Sequence, residues 1–460
     1  MTHKLIFSGL LLAMLSFVII KSIWANPYAH KINQYMQAQT DLGWFSGAIL
    51  VAKDGKIILS KGYGMANYEL DVPNTTSAKF KLASISKQFT AMGIMQLQER
   101  GLLSVNDPLS KFIPDFPHGN EITLHHLLTH SSGIFSYTSL PDWNTLKIQP
   151  TNPAAIIELV KTKPLEFTPG KKFSYSNSGY VILTYIIEKV SGKTYEEFMQ
   201  ENIFKPLGMN ESGYAHNSTI LKKRASGYSK DNGILKNAAY LDMSGPSGAG
   251  GLYSTVEDMY KWDRALYTEK LIHKKSLDAM MQSHMPCTTE GECKEHYGYG
   301  FIINRDCDLL CITHEGGIDG FSTNIIRYVD NNIAIIILSN FDFSSIGTIS
   351  KALTDIMFDK PYRMPKKHIE ITLDPSLLDN YVGSYKDEVG PEIIIFKQNN
   401  KLYITNKGYE EKVKFLLRPE SETDFFHTEM DSTVSFIKND AGIITDLILH
   451  QEKDIQAKKL

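Results

Sequence analysis

Ser84-Ile85-Ser86-Lys87 stands at the beginning of a predicted amphipathic helix that runs from Phe80 to Leu97. Residues three positions apart share one face of a helix, so this spacing places a hydroxyl beside an amine. A serine hydroxyl is a weak nucleophile until a base lies next to it, and the free N–H groups at a helix start favour developing negative charge. The pattern indicates an acyl-transfer centre. The alternative is a solvated helix face that carries two common residues.

Two motifs further along the chain favour the catalytic interpretation. Segment 173–180 contains Tyr175 and Asn177, and segment 313–317 contains His314 followed by Glu-Gly-Gly. The order Ser-x-x-Lys, Tyr-x-Asn, His-x-Gly resembles the three motifs of the serine β-lactamase and penicillin-binding-protein superfamily. It is similar to the branch that contains class C β-lactamases, D-alanyl-D-alanine carboxypeptidases, D-aminopeptidases and related esterases.

The sequence between these motifs carries the same resemblance, from about Phe45 to Asp359. The stretches that look like this family are Gly101-Leu102-Leu103 through Asp107-Pro108-Leu109, Leu127-Leu128-Thr129-His130-Ser131-Ser132-Gly133, Pro169-Gly170, Pro206-Leu207-Gly208-Met209 and Ala249-Gly250-Gly251-Leu252-Tyr253-Ser254-Thr255. The resemblance implies the architecture of the family, with Ser84 at the junction of a sandwich and a helical subdomain.

The hydrophobic pattern agrees with an α/β fold: an antiparallel sheet flanked by helices, plus a helical subdomain. Five segments predict the strands of one sheet: 47–53, 56–63, 311–315, 321–328 and 333–339. An Asp-Gly turn at 54–55 predicts a hairpin between the first two. Helix patterns cover 28–39 and 344–358 and dominate residues 80–262.

The C-terminal quarter of the chain has a different pattern. Residues 361–372 resemble a linker, and the hydrolase-like domain is expected to cover residues 26–360. Residues 373–455 contain short strand-like segments separated by turn residues, which predict a small all-β domain of antiparallel-barrel type. The segment 381–385 resembles the opening of the lipocalin-like module attached to many of these hydrolases. Its role is either structural or to wall the entrance of the active site.

The resemblance implies a role for each polar residue of the first two motifs. Ser84 is the expected nucleophile. Lys87 either takes its proton directly or, as an ammonium, lowers the pKa of Tyr175 so that the phenolate does so, and both alternatives stay open. Asn177 is expected to bond a substrate carbonyl and to hold Lys87. The alternatives are a packing aromatic for Tyr175 and an ordinary loop asparagine for Asn177.

The third motif supplies a basic residue and a backbone surface. His314 stands where relatives carry lysine or histidine, and is expected to polarise the Tyr175 network or the leaving group; otherwise it is a structural strand histidine. Gly316 and Gly317 lack side chains, so a substrate can approach the strand closely. By resemblance, the N–H groups of Gly317 and Ser84 form the oxyanion hole.

Glu315 departs from the family pattern, which commonly has threonine or serine at this substrate-binding position. That hydroxyl can receive the carboxylate of penicillins and of substrates with a free C-terminus. A carboxylate in its place repels such substrates. Unless Glu315 points away from the cleft, we expect neutral or cationic esters and amides to be preferred to β-lactams.

The composition and the N-terminal segment limit which classes of protein are possible. The 460 residues are 42% hydrophobic and 22% charged, as in globular proteins of two or three domains. The net charge of −3 does not indicate the basic surface that nucleic-acid binding requires. Within residues 1–25, Lys4 precedes an apolar run and Ala25 offers a small residue at a cleavage site, which predicts a secretory signal peptide. The expected location is periplasmic or secreted; Lys21 leaves an uncleaved membrane anchor as the alternative.

Four cysteines, Cys287, Cys293, Cys307 and Cys311, fall in one short region before His314. In an exported chain such clustering predicts two disulfides, and the three possible pairings stay open. The alternatives are a zinc site or free thiols.

No cofactor or metal is expected. The pair His126 and His130 has metal-ligand spacing, but no acidic third ligand is evident nearby, and the segment around His130 resembles a structural turn of the family. The expected partner is a small-molecule or peptide substrate, with no nucleic acid and no membrane span after signal cleavage; the oligomeric state is open.

The sequence as a whole predicts an exported serine hydrolase that opens amide or ester bonds through an acyl-Ser84 intermediate. Peptides containing D-residues, β-lactams and small esters are all eligible substrates. Two rivals remain: a covalent β-lactam sensor with little turnover, and a non-catalytic scaffold of the same fold.

Overall fold

The computed structural model describes residues 26–231, 233–286, 295–306, 309–387, 392–407, 414–427, 432–450 and 454–460. The predicted signal peptide and three of the four cysteines, Cys287, Cys293 and Cys307, lie outside these ranges. Cys311 is buried in a strand of the central sheet. Within the described ranges, no helix combines the length and the apolar character needed to cross a bilayer.

An eight-stranded antiparallel sheet forms the centre of the N-terminal region. In spatial order its strands are Met285–Pro286, His296–Tyr297, Ile302–Asp306, Leu309–Ile318, Phe321–Tyr328, Ile333–Ser339, Gly47–Lys53 and Lys56–Tyr63. The five predicted strands are confirmed, and so is the α/β fold class. The first three strands in this order were not predicted, because segments of two to five residues show too little alternation.

The central strands bury both of their faces. Along Ile333–Ser339, the odd-numbered isoleucines pack with helices Pro27–Asp41 and Ile346–Met357. The even-numbered Ile336 and Leu338 belong to a second core, which they share with the helical subdomain. Burial on both faces explains why this strand is a continuous apolar run.

In the sequence, the helical subdomain lies between the N-terminal pair of sheet strands and the remaining strands of the sheet. Its α-helices are Ser86–Glu99, Leu124–Leu128, Trp143–Leu146, Pro153–Lys161, Asn177–Ser191, Tyr195–Met199, Lys205–Leu207, Ser247–Gly250, Val256–Ala265 and Lys274–Met280. Shorter helical turns are Ala83–Ile85, Leu109–Lys111, Tyr137–Ser139 and Gln200–Phe204, and the minor strands are Met65–Asn67, Val72–Pro73, Phe80–Lys81, Gly213–Tyr214, Tyr228–Asp231, Ile234–Asn237 and Leu252–Ser254.

The helix predicted from Phe80 begins later than expected, at Ser86. Phe80–Lys81 instead pairs as a strand with Leu252–Ser254, and Ala83–Ile85 forms a 3₁₀ turn. The apolar residues of this short segment fit a strand and a helix equally well, so periodicity could not separate them. Ser84 is therefore held in a tight turn between a strand and a helix.

Beyond residues 360–374, which have no regular secondary structure, the chain forms a closed eight-stranded antiparallel barrel. Its strands are Gly383–Lys386, Ile393–Gln398, Lys401–Asn406, Phe415–Pro419, Asp424–His427, Thr433–Lys438, Ile444–His450 and Ile455–Lys459. The predicted small all-β domain is confirmed. Its last strand closes the barrel against the first and runs past residue 455, the end expected from the sequence.

The barrel lies beside the sheet helices, away from Ser84. A cavity between the two domains is lined by Tyr35 and Thr348 on one side and by Asp424 and Ser435 on the other. Among the described barrel residues, none lines the cleft at Ser84. The structure thus does not support the suggested role of this domain as a wall of the active-site entrance.

Candidate active site

The turn that presents Ser84 is strained and tightly packed. Ala83 has a φ of 48°, in the left-handed region, where a residue with a Cβ persists only if its surroundings hold it. Gly316 of the neighbouring sheet strand supplies part of that support, because a Cβ there would lie 2.4 Å from the carbonyl oxygen of Leu82. Gly316 therefore serves packing between sheet and turn, and it also lines the cleft at Ser84.

Lys87 is fully buried, and its nitrogen lies among three oxygens. Nζ is 3.0 Å from Ser84 Oγ, 2.8 Å from Asn177 Oδ1 and 2.7 Å from the carbonyl oxygen of Ala249. Burial lowers the pKa of Lys87 well below its usual value, because the charged form loses its hydration. A neutral amine has two N–H donors and one lone pair. The amide oxygen of Asn177 and the carbonyl oxygen of Ala249 can only accept, so the two N–H groups of the amine donate to them. The lone pair of the amine therefore faces the serine hydroxyl.

Asn177 is fixed by bonds on both sides of its amide. It is the first residue of the helix Asn177–Ser191, and its backbone N–H donates to Ser136 Oγ at 3.2 Å. Its side-chain Nδ2 donates to Thr138 Oγ1 at 3.1 Å, which orients Oδ1 towards Lys87. The sequence prediction that Asn177 lies against Lys87 agrees with this geometry.

Tyr175 covers the amine from the other side. Lys87 Nζ lies 4.8 Å from the centroid of the tyrosine ring, and the tyrosine hydroxyl lies near Ser84. Burial raises the pKa of Tyr175, and the interaction with Ser84 offsets only part of this rise. Although 37% of the residue is exposed, the raised pKa makes the phenol the form present at neutral pH.

His314 is buried and uses both ring nitrogens within the protein. Nδ1 lies 2.6 Å from the carbonyl oxygen of Glu315, which only accepts, so Nδ1 carries the proton. Nε2 then accepts from the Tyr297 hydroxyl at 2.7 Å. Burial is the main cause that lowers the pKa of His314 to about 3, so the ring is neutral at physiological pH. The expected polar contact with the Tyr175 network is replaced by ring packing at 6.3 Å.

Ser84 opens into a cleft with two arms that share Gly317. One arm is lined by Tyr137, Thr138, Trp143, Leu241 and Asp319. The other is lined by Tyr175, Ile302, His314 and Glu315. A Cβ on Gly317 would meet open space, so the backbone there is accessible to a substrate. Each arm thus carries one carboxylate.

Several groups of the site were missed by the sequence analysis: Thr138, Tyr297, Asp319 and the carbonyl of Ala249. Ala249 belongs to a stretch already noted for its family resemblance. Every residue has a backbone carbonyl, however, so the residue type could not indicate that this oxygen binds Lys87. The other three stand outside the motifs and reach the site through the fold.

The histidine pair with metal-ligand spacing is used for structure. Nδ1 of His126 accepts from the N–H of Thr123 at 3.3 Å, and Nδ1 of His130 accepts from the N–H of Ser176 at 3.1 Å. In the part of the chain that the structure describes, no three acidic, histidine or cysteine side chains are grouped as a metal site requires.

An antiparallel sheet, a helical subdomain and a serine paired with a buried lysine define a serine hydrolase of the penicillin-binding type. Two family models match the sequence: Beta-lactamase over residues 31–348, and a domain of unknown function (DUF3471) over residues 367–460. The chain belongs to the Beta-lactamase family, since that match covers more than half of its length. The resemblance seen in the motifs is confirmed.

Similarity to individual proteins extends over most of the chain. Penicillin-binding protein 4* of Bacillus subtilis strain 168 is 32% identical over 417 residues, which are 85% of this chain and 90% of that protein. Teichoic acid D-alanine hydrolase of Staphylococcus aureus strain MRSA252 is 27% identical over 338 residues, 73% of this chain and 80% of the relative. The structure of the octameric penicillin-binding protein homologue from Pyrococcus abyssi is 27% identical, with a TM-score of 0.67 over 93% of this chain and 99% of that one.

Proposed function

We propose that this chain is an exported hydrolase that cleaves D-aminoacyl ester or amide bonds through an acyl-Ser84 intermediate. One observation carries the proposal: the Lys87 amine lies 3.0 Å from Ser84 Oγ, and its two other polar contacts are oxygens that can only accept hydrogen bonds. Its lone pair is therefore available to the serine hydroxyl. The similarity to a teichoic acid D-alanine hydrolase supports the choice of the acyl group. Export follows from the predicted signal peptide at residues 1–25.

The geometry supports a direct role for the lysine in acylation. Ser84 Oγ attacks the substrate carbonyl carbon as its proton passes to the neutral amine of Lys87. The N–H groups of Ser84 and Gly317 hold the resulting oxyanion. The Tyr175 phenol donates a proton to the leaving group and is reprotonated from the Lys87 ammonium. Water then attacks the acyl-enzyme with the same residues in reversed roles, while Asn177 holds the amine and the substrate carbonyl.

Charge in the cleft supports a substrate without a carboxylate near the reacting carbonyl. Glu315 is exposed in one arm of the cleft, and Asp319 lines the other, where Lys147 pairs with it at 2.7 Å. The exposed carboxylate of Glu315 therefore repels an anionic substrate in its arm of the cleft. Penicillins and peptides with a free C-terminus are the disfavoured classes.

Replacing Glu315 by threonine is expected to raise kcat/KM for nitrocefin, an anionic substrate, by about tenfold. Removal of an exposed charge at close range accounts for roughly 1 to 2 kcal/mol. Turnover of a neutral p-nitrophenyl ester should change by less than about twofold. Glu121→Thr is the matched control, since it removes an exposed glutamate that lies outside the cleft lining. Efficient nitrocefin hydrolysis by the wild type, unchanged in Glu315→Thr, would show that this side chain does not set specificity.

The rival functions are separated by turnover. A β-lactam sensor gives a rapid burst of acylation and then almost no product, whereas a scaffold gives no covalent labelling at all. A screen of the mature protein with p-nitrophenyl esters, D-alanyl anilides and nitrocefin, run beside fluorophosphonate labelling, tests the proposed function. Multiple turnovers on the esters or anilides support it, and a single stoichiometric burst contradicts it.

The cysteine prediction has its own test. In the exported protein, Cys287, Cys293, Cys307 and Cys311 are expected to form two disulfides, each of which removes two hydrogens. The intact mass under denaturing, non-reducing conditions should therefore lie about four hydrogens below the reduced mass. Four alkylatable thiols in protein purified from the periplasm would contradict the prediction.

A further inference from the structure

We infer that His130 is a positioning residue that holds Tyr175 in place beside Ser84. The inference rests on the proposed function, because it assigns to His130 an effect on the reaction that passes through Tyr175. The sequence suggested only a structural turn at this position. The structure places the histidine directly behind the tyrosine.

His130 binds the backbone on both sides of Tyr175. Its carbonyl oxygen accepts from the N–H of Ser174 at 2.9 Å, and its Nδ1 accepts from the N–H of Ser176 at 3.1 Å. Its ring lies against the tyrosine ring, with centroids 4.2 Å apart and planes 35° apart. One residue thus holds the N–H groups of the residues before and after Tyr175 and supports the face of its ring.

The surroundings of the ring indicate that a histidine is needed here because its Nδ1 accepts a hydrogen bond. Because Nδ1 accepts, the proton of the neutral ring sits on Nε2. Nε2 is buried and has no hydrogen-bond partner among the described residues. The other aromatic neighbours are Phe173, Tyr180 and Tyr297, with centroids between 4.6 and 5.9 Å away. A hydrocarbon side chain would fill this space without a buried, unpaired N–H, but it could not accept from Ser176.

The backbone of His130 decides which substitutions give a clean test. Its φ is 54°, in the left-handed region, which glycine and asparagine adopt more readily than most residues. His130→Gly keeps this backbone and its carbonyl acceptor, and removes only the ring. His130→Asn keeps the backbone and also offers Oδ1 near the position of Nδ1, so it can accept from Ser176.

The experiment compares kcat and KM of the full mature chain on a p-nitrophenyl ester. We expect His130→Gly to lower kcat by about 30- to 100-fold, because a displacement of about 1 Å in a reacting group costs about this much. KM should stay within about threefold, since His130 does not line the cleft. His130→Asn should recover at least about tenfold of kcat. In a Tyr175→Phe background, His130→Gly should change kcat by less than about threefold, because the group that it positions is gone.

Controls separate this inference from the proposed function and from misfolding. His125→Asn changes another partly buried histidine, which bonds Tyr299 outside the site, and should leave kcat unchanged. If wild type is no more active than Ser84→Ala, the proposed function itself fails. If wild type is active but the asparagine and glycine variants are equally impaired, or the glycine effect is as large without the Tyr175 hydroxyl, the positioning role is overturned.

A second pair of variants covers the case in which His130→Gly loses its cooperative thermal transition. His130→Gln then replaces it, because glutamine keeps the amide but places its oxygen one carbon further from the backbone. A kcat for His130→Asn at least about tenfold above that of His130→Gln supports the inference, and equal values overturn it.

Discussion

Ser84→Ala is expected to abolish covalent labelling by a fluorophosphonate and to lower ester turnover by about 10³-fold or more. The variant retains the cleft and the buried amine but has no oxygen to attack the substrate. Residual hydrolysis should come only from the oxyanion donors and from substrate binding. The measurement is labelling of wild type and variant at equal concentration, together with kcat/KM on a p-nitrophenyl ester.

Ser86→Ala is the matched control for the nucleophile. Ser86 is buried two residues away, and its hydroxyl accepts from the N–H of Leu252 at 3.1 Å. Its loss leaves a buried donor without a partner, which destabilises the fold by about 1 to 3 kcal/mol. We expect a lower melting temperature with labelling retained. If labelling persists in Ser84→Ala and disappears in Ser86→Ala, the nucleophile is Ser86, and the assignment of Ser84 is wrong.

Lys87→Met is expected to have a comparable effect, with a fall in acylation of about 10³-fold or more. Methionine has a similar length and fills the buried space, but it has no nitrogen to take the serine proton. The tyrosine alone cannot replace it, because burial raises the pKa of Tyr175 and keeps the phenol protonated at neutral pH. Rates of fluorophosphonate labelling measure the effect directly, and thermal melting verifies that the variant is folded. Labelling at near wild-type rate would exclude Lys87 as the base.

The pH dependence of acylation distinguishes the two candidate bases. If the neutral Lys87 amine is the base, the rate reaches its plateau at a pH well below the ordinary lysine pKa and falls as acid protonates the amine, because burial has lowered the pKa of Lys87. If a Tyr175 phenolate were the base, the rate would still rise above about pH 9, because burial raises the pKa of that hydroxyl. A profile that keeps rising through this range contradicts the proposed role of the lysine.

The centre of the site could be predicted from the sequence because its residues stand at short, fixed spacings. Three positions separate Ser84 from Lys87, and the two side chains meet in the structure although the 3₁₀ turn replaces the expected helix start. Asn177 was expected against Lys87 and lies there. The long central strands were predicted for a similar reason, since each carries enough apolar residues to define its period.

The remaining features depend on contacts between residues distant in sequence. Tyr297 lies in a two-residue strand, so neither pattern nor motif indicated that it would bond His314. Asp319 and Thr138 reach the cleft from a sheet turn and a short helical turn. The packing role of Gly316 was not predicted, because its close neighbour, Leu82, stands far away in the chain. His130 was recognised as part of a turn, but its contacts around Tyr175 appear only in three dimensions.

Tandem mass spectrometry of the fluorophosphonate-labelled protein tests the central claim most directly. Digestion should yield one modified peptide, and fragmentation should place the phosphonyl group on Ser84, with stoichiometry close to one per chain. Pre-incubation with a slowly released substrate should reduce that modification in proportion to acylation. A modification located on Ser86 or on any residue outside the cleft, or no modification of the folded wild-type protein, would contradict the account.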